Sequence, residues 1–148
     1  MAEDRLCPSG VSHPPSVGSP VLAVEFPAVA GSLALVRQTL AGLAEAVDVP
    51  ERALDDLKLA VTEACTNVVL HAYAGMEEPG QILVDVWHAE SRLVVRVRDE
   101  GTGMKPRVDR GTPGLGLGLR LIAMLTAGVT ITTEPDVGTA VWMTFNLS

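Results

Sequence analysis

The sequence predicts an α/β (α+β) domain, and three observations carry that prediction. Apolar residues recur at helical spacing over residues 28–47 and again over 51–73. Four later stretches, residues 82–88, 93–99, 129–133 and 139–147, alternate with a period of two and fall into two hairpin-like pairs. The composition is 47 % hydrophobic but only 3 % aromatic, so Val, Leu, Ala and Ile must fill the core of a 148-residue, single-domain chain.

Taken in order, residues 1–20 hold Pro8, Pro14, Pro15 and Pro20 among Ser and Gly. Such a composition buries too little apolar surface to offset its ordering entropy, so it reads as a flexible tail ahead of a domain at 21–148. Residues 21–26 form a short β-branched run, an expected edge strand ended by Pro27. The first helix follows, with Leu33, Val36, Leu40, Leu43 and Val47 on one face, and Asp48-Val49-Pro50 stops it. Its Arg37 points away from that stripe, either solvated or in contact with a protein partner. Pro50 suits the first turn of the second helix, and Glu51, Asp55 and Asp56 place negative charge where the helix dipole favours it. That helix is expected to end near Tyr73, with a loop over 75–80. The strands at 82–88 and 93–99 turn at Glu90-Ser91; those at 129–133 and 139–147 are joined through residues 134–138, with Val141, Met143, Phe145 and Leu147 on the buried face. Trp87 and Trp142 read as packing residues on strand faces, and His71 as structural.

A net charge of -7 argues against a nucleic-acid surface, which normally shows as a basic stripe. Cys7 and Cys65 make neither a disulfide framework nor a metal pattern, and read as free thiols of a reducing compartment. No run of 18 apolar residues exists, and the start lacks a basic region followed by an apolar block. The expectation is a cytoplasmic protein that touches neither membrane nor nucleic acid.

Three stretches carry chemistry. In DLKLAVTEACTNVVLHAY, residues 56–73, Leu54, Leu57, Val61, Ala64, Cys65 and Val68 form the apolar stripe, and Glu63 and Asn67 lie one turn apart nearly opposite it. Leu59, Thr66 and Leu70 share their face, so it reads either as solvated surface or as the wall of a site. In RLVVRVRDEGTG, residues 92–103, Asp99 follows Leu93, Val95 and Val97 into the buried face of a strand. A buried carboxylate costs several kcal/mol, on the order of the penalty for buried ions, unless something satisfies it. Gly101 and Gly103 allow positive φ and leave no Cβ, so a ligand can approach the backbone. Residues 104–113 hold Lys105, Arg107 and Arg110 against Asp109 alone, suiting either a lid over phosphates or an ordinary surface loop. In GTPGLGLGL, residues 111–119, the glycines open a helix whose N-terminal N–H groups suit an anion. No Gly-Lys-Ser/Thr follows, and the G-x-G-x-x-G spacing is absent, so neither a P-loop nor a dinucleotide fold is indicated. Thr139 after Gly138 fits ligand contact and turn chemistry equally.

Glu and Asn on a helix, Asp-x-Gly-x-Gly after a strand, then a Gly-rich turn opening a helix: this ordered triple resembles the Bergerat-type ATPase domain of GHKL proteins and histidine kinases. Among these it is most similar to the anti-sigma factor serine/threonine-protein kinases, over about residues 20–148. The resemblance implies a two-layer sandwich with a mixed, mostly antiparallel sheet covered on one face by about three helices. It implies ATP and Mg²⁺ as cofactors, with Glu63 the general base toward a serine hydroxyl and Asn67 the metal ligand. Asp99 would accept from the adenine amino group, with Thr139 nearby. Gly101 and Gly103 would pass beneath base and ribose, while Lys105, Arg110, Gly114, Leu115, Gly116, Leu117 and Gly118 would surround the phosphates. The implied partners are a sigma factor and a STAS-type anti-anti-sigma protein, in a homodimer. A histidine kinase would need a helical dimerisation domain that the Pro-rich tail does not supply. The segment between the glycine motifs is shorter than in many relatives, which bears on phosphate closure. The competing reading is an ATP-binding module that sequesters its partner without phosphotransfer.

Overall fold

The structure, a computed structural model, describes residues 19–101, 113–134 and 137–148, with only the backbone course given for 113–116. Residues 1–18 of the predicted tail, Gly103, Lys105, Arg107 and Arg110 therefore lie outside the described residues.

Strand β1 runs Leu22–Pro27, and helix α1, Ser32–Ala46, begins four residues later than the periodicity at Ala28 suggests. The intervening backbone is already engaged: Ala28 N–H donates to Gly80 C=O, Val29 N–H to Pro27 C=O, and the Ser32 hydroxyl to Pro27 C=O at 2.7 Å. Asp48 adopts φ 57° after α1, a left-handed turn that Asp tolerates and that lets Pro50 precede α2, Glu51–Asn67. A π-helical turn, Val68–Ala72, continues α2 and ends at Tyr73.

Strands β2, Gln81–Ala89, and β3, Arg92–Arg98, form the first hairpin, with Glu90 at φ 52° in its turn. Helix α3 spans Pro113–Leu125, and β4, Gly128–Glu134, and β5, Gly138–Asn146, form the second hairpin. The sheet order is β1-β2-β3-β5-β4, and every pairing is antiparallel. β1 is an edge strand, as its short, Pro-ended run predicts.

The core lies between one sheet face and the helices. Leu93, Val95 and Val97 of β3 and Val141, Met143 and Phe145 of β5 meet Leu57, Ala60, Val61, Ala64 and Cys65 of α2, Val36 and Leu40 of α1, and Ile122 of α3. Burial pushes the Cys65 thiol up to about 12, which leaves it protonated and unreactive. The opposite face carries no helix among the described residues. There the rings of Trp87 and Trp142 stack with centroids 5.7 Å apart, and the Arg96 guanidinium lies over both. Arg96 also donates to Asp85 at 2.7 Å, satisfying a carboxylate that is itself buried.

Candidate functional site

Helix α2 positions Glu63 and Asn67. One expectation needs correction: they do not stand opposite the buried stripe. Asn67 is only 5 % exposed, and the buried side of α2 includes Ala60 beside Leu57, Val61, Ala64 and Cys65. The cause is α3, which packs along that flank and brings Gly118 against Glu63 and Asn67. A Cβ at Gly118 would stand 3.0 Å from Glu63 Oε1 and 3.6 Å from both amide atoms of Asn67. Glu63 is half-buried at this seam, whereas Leu59 and Leu70, expected on the same wall, face solvent. Among the described residues the buried Asn67 Nδ2 has no hydrogen-bond partner. A buried amide lacking a partner costs roughly 1–3 kcal/mol, so this group is poised for one.

The second half of the site is built on β3 and β5. Asp99 continues the inward alternation of Leu93, Val95 and Val97 and is 5 % exposed. Its Oδ1 accepts the Gly101 N–H at 2.9 Å and the Thr139 N–H at 3.3 Å, while the Asp99 N–H donates to Thr139 C=O at 2.9 Å. With both donors on Oδ1, Oδ2 is the oxygen left to meet a donor from outside. Burial raises the Asp99 pKa above its ordinary value; the two backbone N–H groups pull it down and the Glu100 charge adds to the rise. Thr139 is buried, its hydroxyl 3.1 Å from that of Thr133.

Close backbone approaches lock this end. Gly138, at φ +142°, lies where any Cβ would overlap the Asp99 carbonyl. Gly101 does not use the positive φ that a glycine allows; a Cβ there would overlap the Ala72 carbonyl oxygen at the end of the π-turn. The π-turn thus carries the backbone of α2 against the Asp99 turn, joining the two halves. Such widened turns recur at functional sites. A cavity of about 530 Å³ opens on the helix-free face, lined by Arg96, Arg98, Thr132, Glu134 and Trp142. Asp99, Gly138 and Thr139 also line it, whereas Glu63 and Asn67 do not, so it takes in the Asp99 half of the site and not the Glu63/Asn67 half.

A family model described as a histidine kinase-like ATPase domain matches residues 26–145. The chain belongs to the histidine kinase-like ATPase family. Within it, similarity is to serine-protein kinases. Serine-protein kinase RsbW of Bacillus thuringiensis (strain Al Hakam) is 34 % identical over 136 residues, covering 83 % of this chain and 82 % of that protein. The RsbW of Listeria monocytogenes serovar 1/2a is 42 % identical over 81 residues, 55 % of this chain and 51 % of that one. In solved structures the fold matches the RsbU and RsbW domains of Rv1364c from Mycobacterium tuberculosis, with TM-score 0.68 and 22 % identity, over 85 % of this chain and 31 % of that chain. It also matches the SiaB–SiaC complex of Pseudomonas aeruginosa, with TM-score 0.64 and 13 % identity, over 86 % and 90 % of the two chains.

For a histidine kinase-like ATPase, the residues present fit an adenine nucleotide and Mg²⁺. The buried unpartnered amide of Asn67 can turn its oxygen, a hard neutral ligand, toward a cation, and Gly118 leaves room beside it. Gly114, Leu115 and Gly116 lie in the first turns of α3, and the exposed Leu117 adjoins Gly118; the Gly-rich run is therefore helix, not a loop ahead of one. Tyr73 escaped the sequence reading. Its hydroxyl accepts the Glu100 N–H at 2.9 Å and donates to Gln81 C=O at 2.7 Å, and only its place at the end of the stretch that carries Glu63 and Asn67 hinted at a role.

Proposed function

We propose that this protein is an ATP-dependent protein-serine kinase and anti-sigma factor, which binds a sigma factor and phosphorylates a serine of a STAS-type anti-anti-sigma partner. The observation that carries the reading is the seam at Gly118, where the Glu63 carboxylate and the Asn67 amide, with its buried Nδ2 unpartnered, both border the space that the glycine leaves open. The RsbW relatives support the kinase activity, and the fold match to the SiaB–SiaC complex supports binding of a protein partner.

The roles follow from chemistry. Asp99 accepts from the adenine 6-amino group through Oδ2 and holds the base, with Thr139 beside it. Asn67 is the residue that would hold Mg²⁺, which when bound supplies positive charge to the phosphate oxygens. Glu63, half-buried at the mouth of the seam, takes the proton of the serine hydroxyl as that oxygen attacks the γ-phosphorus and the bond to the ADP oxygen breaks. Gly103, Lys105 and Arg110, outside the described residues, are proposed as further nucleotide contacts, and the protein as a homodimer in the cytoplasm. No helix among the described residues is long and apolar enough to cross a membrane.

The test is calorimetric titration of ATP with and without Mg²⁺ on wild type and Asn67→Ala, followed by phosphate transfer to a serine-bearing STAS-type protein. Magnesium-dependent binding that the substitution weakens, with transfer to serine, is the expected result. Nucleotide binding without transfer to any such partner would favour sequestration; absence of binding in wild type would sink the nucleotide site.

A further inference from the structure

Tyr73 ties together three segments of the chain: the end of the π-turn, the start of β2 and the turn that follows β3. Its hydroxyl joins the start of β2, through Gln81 C=O, to the peptide N–H of Glu100, the middle residue of the turn from Asp99 to Gly101. Its ring is seated on Gly80, where a Cβ would overlap ring carbons, so the hydroxyl has little freedom to leave. The preceding residue, Ala72, presents the carbonyl against which Gly101 is pressed. Tyr73 is also the residue that closes the π-turn begun after Asn67. One side chain therefore anchors the Asp99 turn from outside while Gly101 and Thr139 hold the carboxylate from within.

We propose that Tyr73 is a positioning residue for base recognition: its hydroxyl fixes the Glu100 peptide, and thereby the direction in which Asp99 Oδ2 meets the 6-amino group of adenine. This rests on the nucleotide reading given above. Without the hydroxyl, the Glu100 N–H turns to water and the turn relaxes, so Oδ2 is no longer held on the donor. A tyrosine that served stability alone would change the melting temperature and leave base preference untouched.

The experiment uses the full chain and compares the affinities of MgATP and of magnesium inosine triphosphate, which carries an oxo group in place of the 6-amino group. Tyr73→Phe keeps the ring on Gly80 and removes both hydrogen bonds. It should weaken ATP about 5- to 20-fold, the scale of one or two hydrogen bonds, and inosine triphosphate less than about twofold. Gly80→Ala provides a second route, displacing the ring with its hydroxyl intact, and should lower the same preference by about 3- to 10-fold. If Tyr73→Phe fails to fold, Gly80→Ala decides the matter. An unchanged ratio in the folded variants, or equal weakening of both nucleotides, overturns the proposal. Wild type that binds neither nucleotide overturns the nucleotide reading and this inference with it; wild-type binding with an unchanged ratio in the variants overturns this inference alone.

Discussion

The two ends of the site are finished to different degrees. At the base end, Asp99 is held by two backbone N–H groups, Gly138 and Gly101 are closed against neighbouring carbonyls, and Tyr73 binds the turn from outside. At the phosphate end, the buried Asn67 Nδ2 has no hydrogen-bond partner among the described residues, and Glu63 faces the gap left by a glycine. The first end rests on hydrogen bonds between the Asp99 and Tyr73 side chains and nearby backbone groups, which form whenever the protein folds. The second sits on a helix surface and is completed from outside. On the proposed reading, recognition of the base is preorganised, whereas the chemistry waits for its ligands.

If that contrast holds, substitutions at the phosphate end cost activity and those at the base end cost selectivity or stability. The largest effect is expected for Glu63→Ala: phosphotransfer should fall about 10²- to 10⁴-fold, the usual contribution of a general base, with ATP affinity kept. Unchanged turnover in a rapid-quench assay would remove Glu63 from that role. Asn67→Ala should weaken ATP on the order of 10- to 100-fold with Mg²⁺ present, as when groups around a metal are removed, and little in its absence. Equal weakening under both conditions would mean that the amide serves the fold instead.

Asp99→Asn should reduce ATP affinity about tenfold or more and leave GTP unchanged, because an amide N–H would replace the Oδ2 proposed to accept from adenine. Equal loss of both nucleotides contradicts the assignment. The same substitution separates function from stability. Burial raises the Asp99 pKa in the folded state, so the fold binds this proton more tightly than the unfolded chain does. Its stabilising contribution is complete below the ordinary aspartate range, about pH 3.9, and is lost as pH rises through the raised value. Nucleotide-free Asp99→Asn should lack that loss, and urea midpoints measured across this range would show it as a flatter profile and a protein no less stable than wild type at neutral pH. A steeper profile would reverse the sign. The smallest binding effect is expected for Gly101→Ala, whose Cβ would strike the Ala72 carbonyl. It should destabilise the fold by about 1–3 kcal/mol, the scale of overpacking, while the variant that folds still prefers ATP over GTP.

Much of the base end was legible in the sequence, and the reason is periodicity. In a strand, alternation assigns each side chain to a face, so Leu93, Val95, Val97 and Asp99 announce an acid on the buried side without reference to any other element. The one surprise there was the cause of Gly101: its missing side chain makes room for protein backbone, at an ordinary φ. The helix wheel was less informative. It placed Glu63 and Asn67 on one flank but could not say that α3 would cover it, since a wheel records angle and not the neighbour packed at that angle. Gly118 was the available signal, a residue without a side chain where α3 meets Glu63 and Asn67 of α2.

The sequence by itself determined the order of the elements, the antiparallel hairpins, the inward acid and the Glu/Asn pair, because each rests on spacing within a single stretch. Tertiary structure alone decided that Asn67 is buried, that the π-turn presses Ala72 against Gly101, and that Tyr73 bridges Gln81 and Glu100. Those facts depend on where one segment's backbone meets another's, and contacts between distant segments leave no period in the chain.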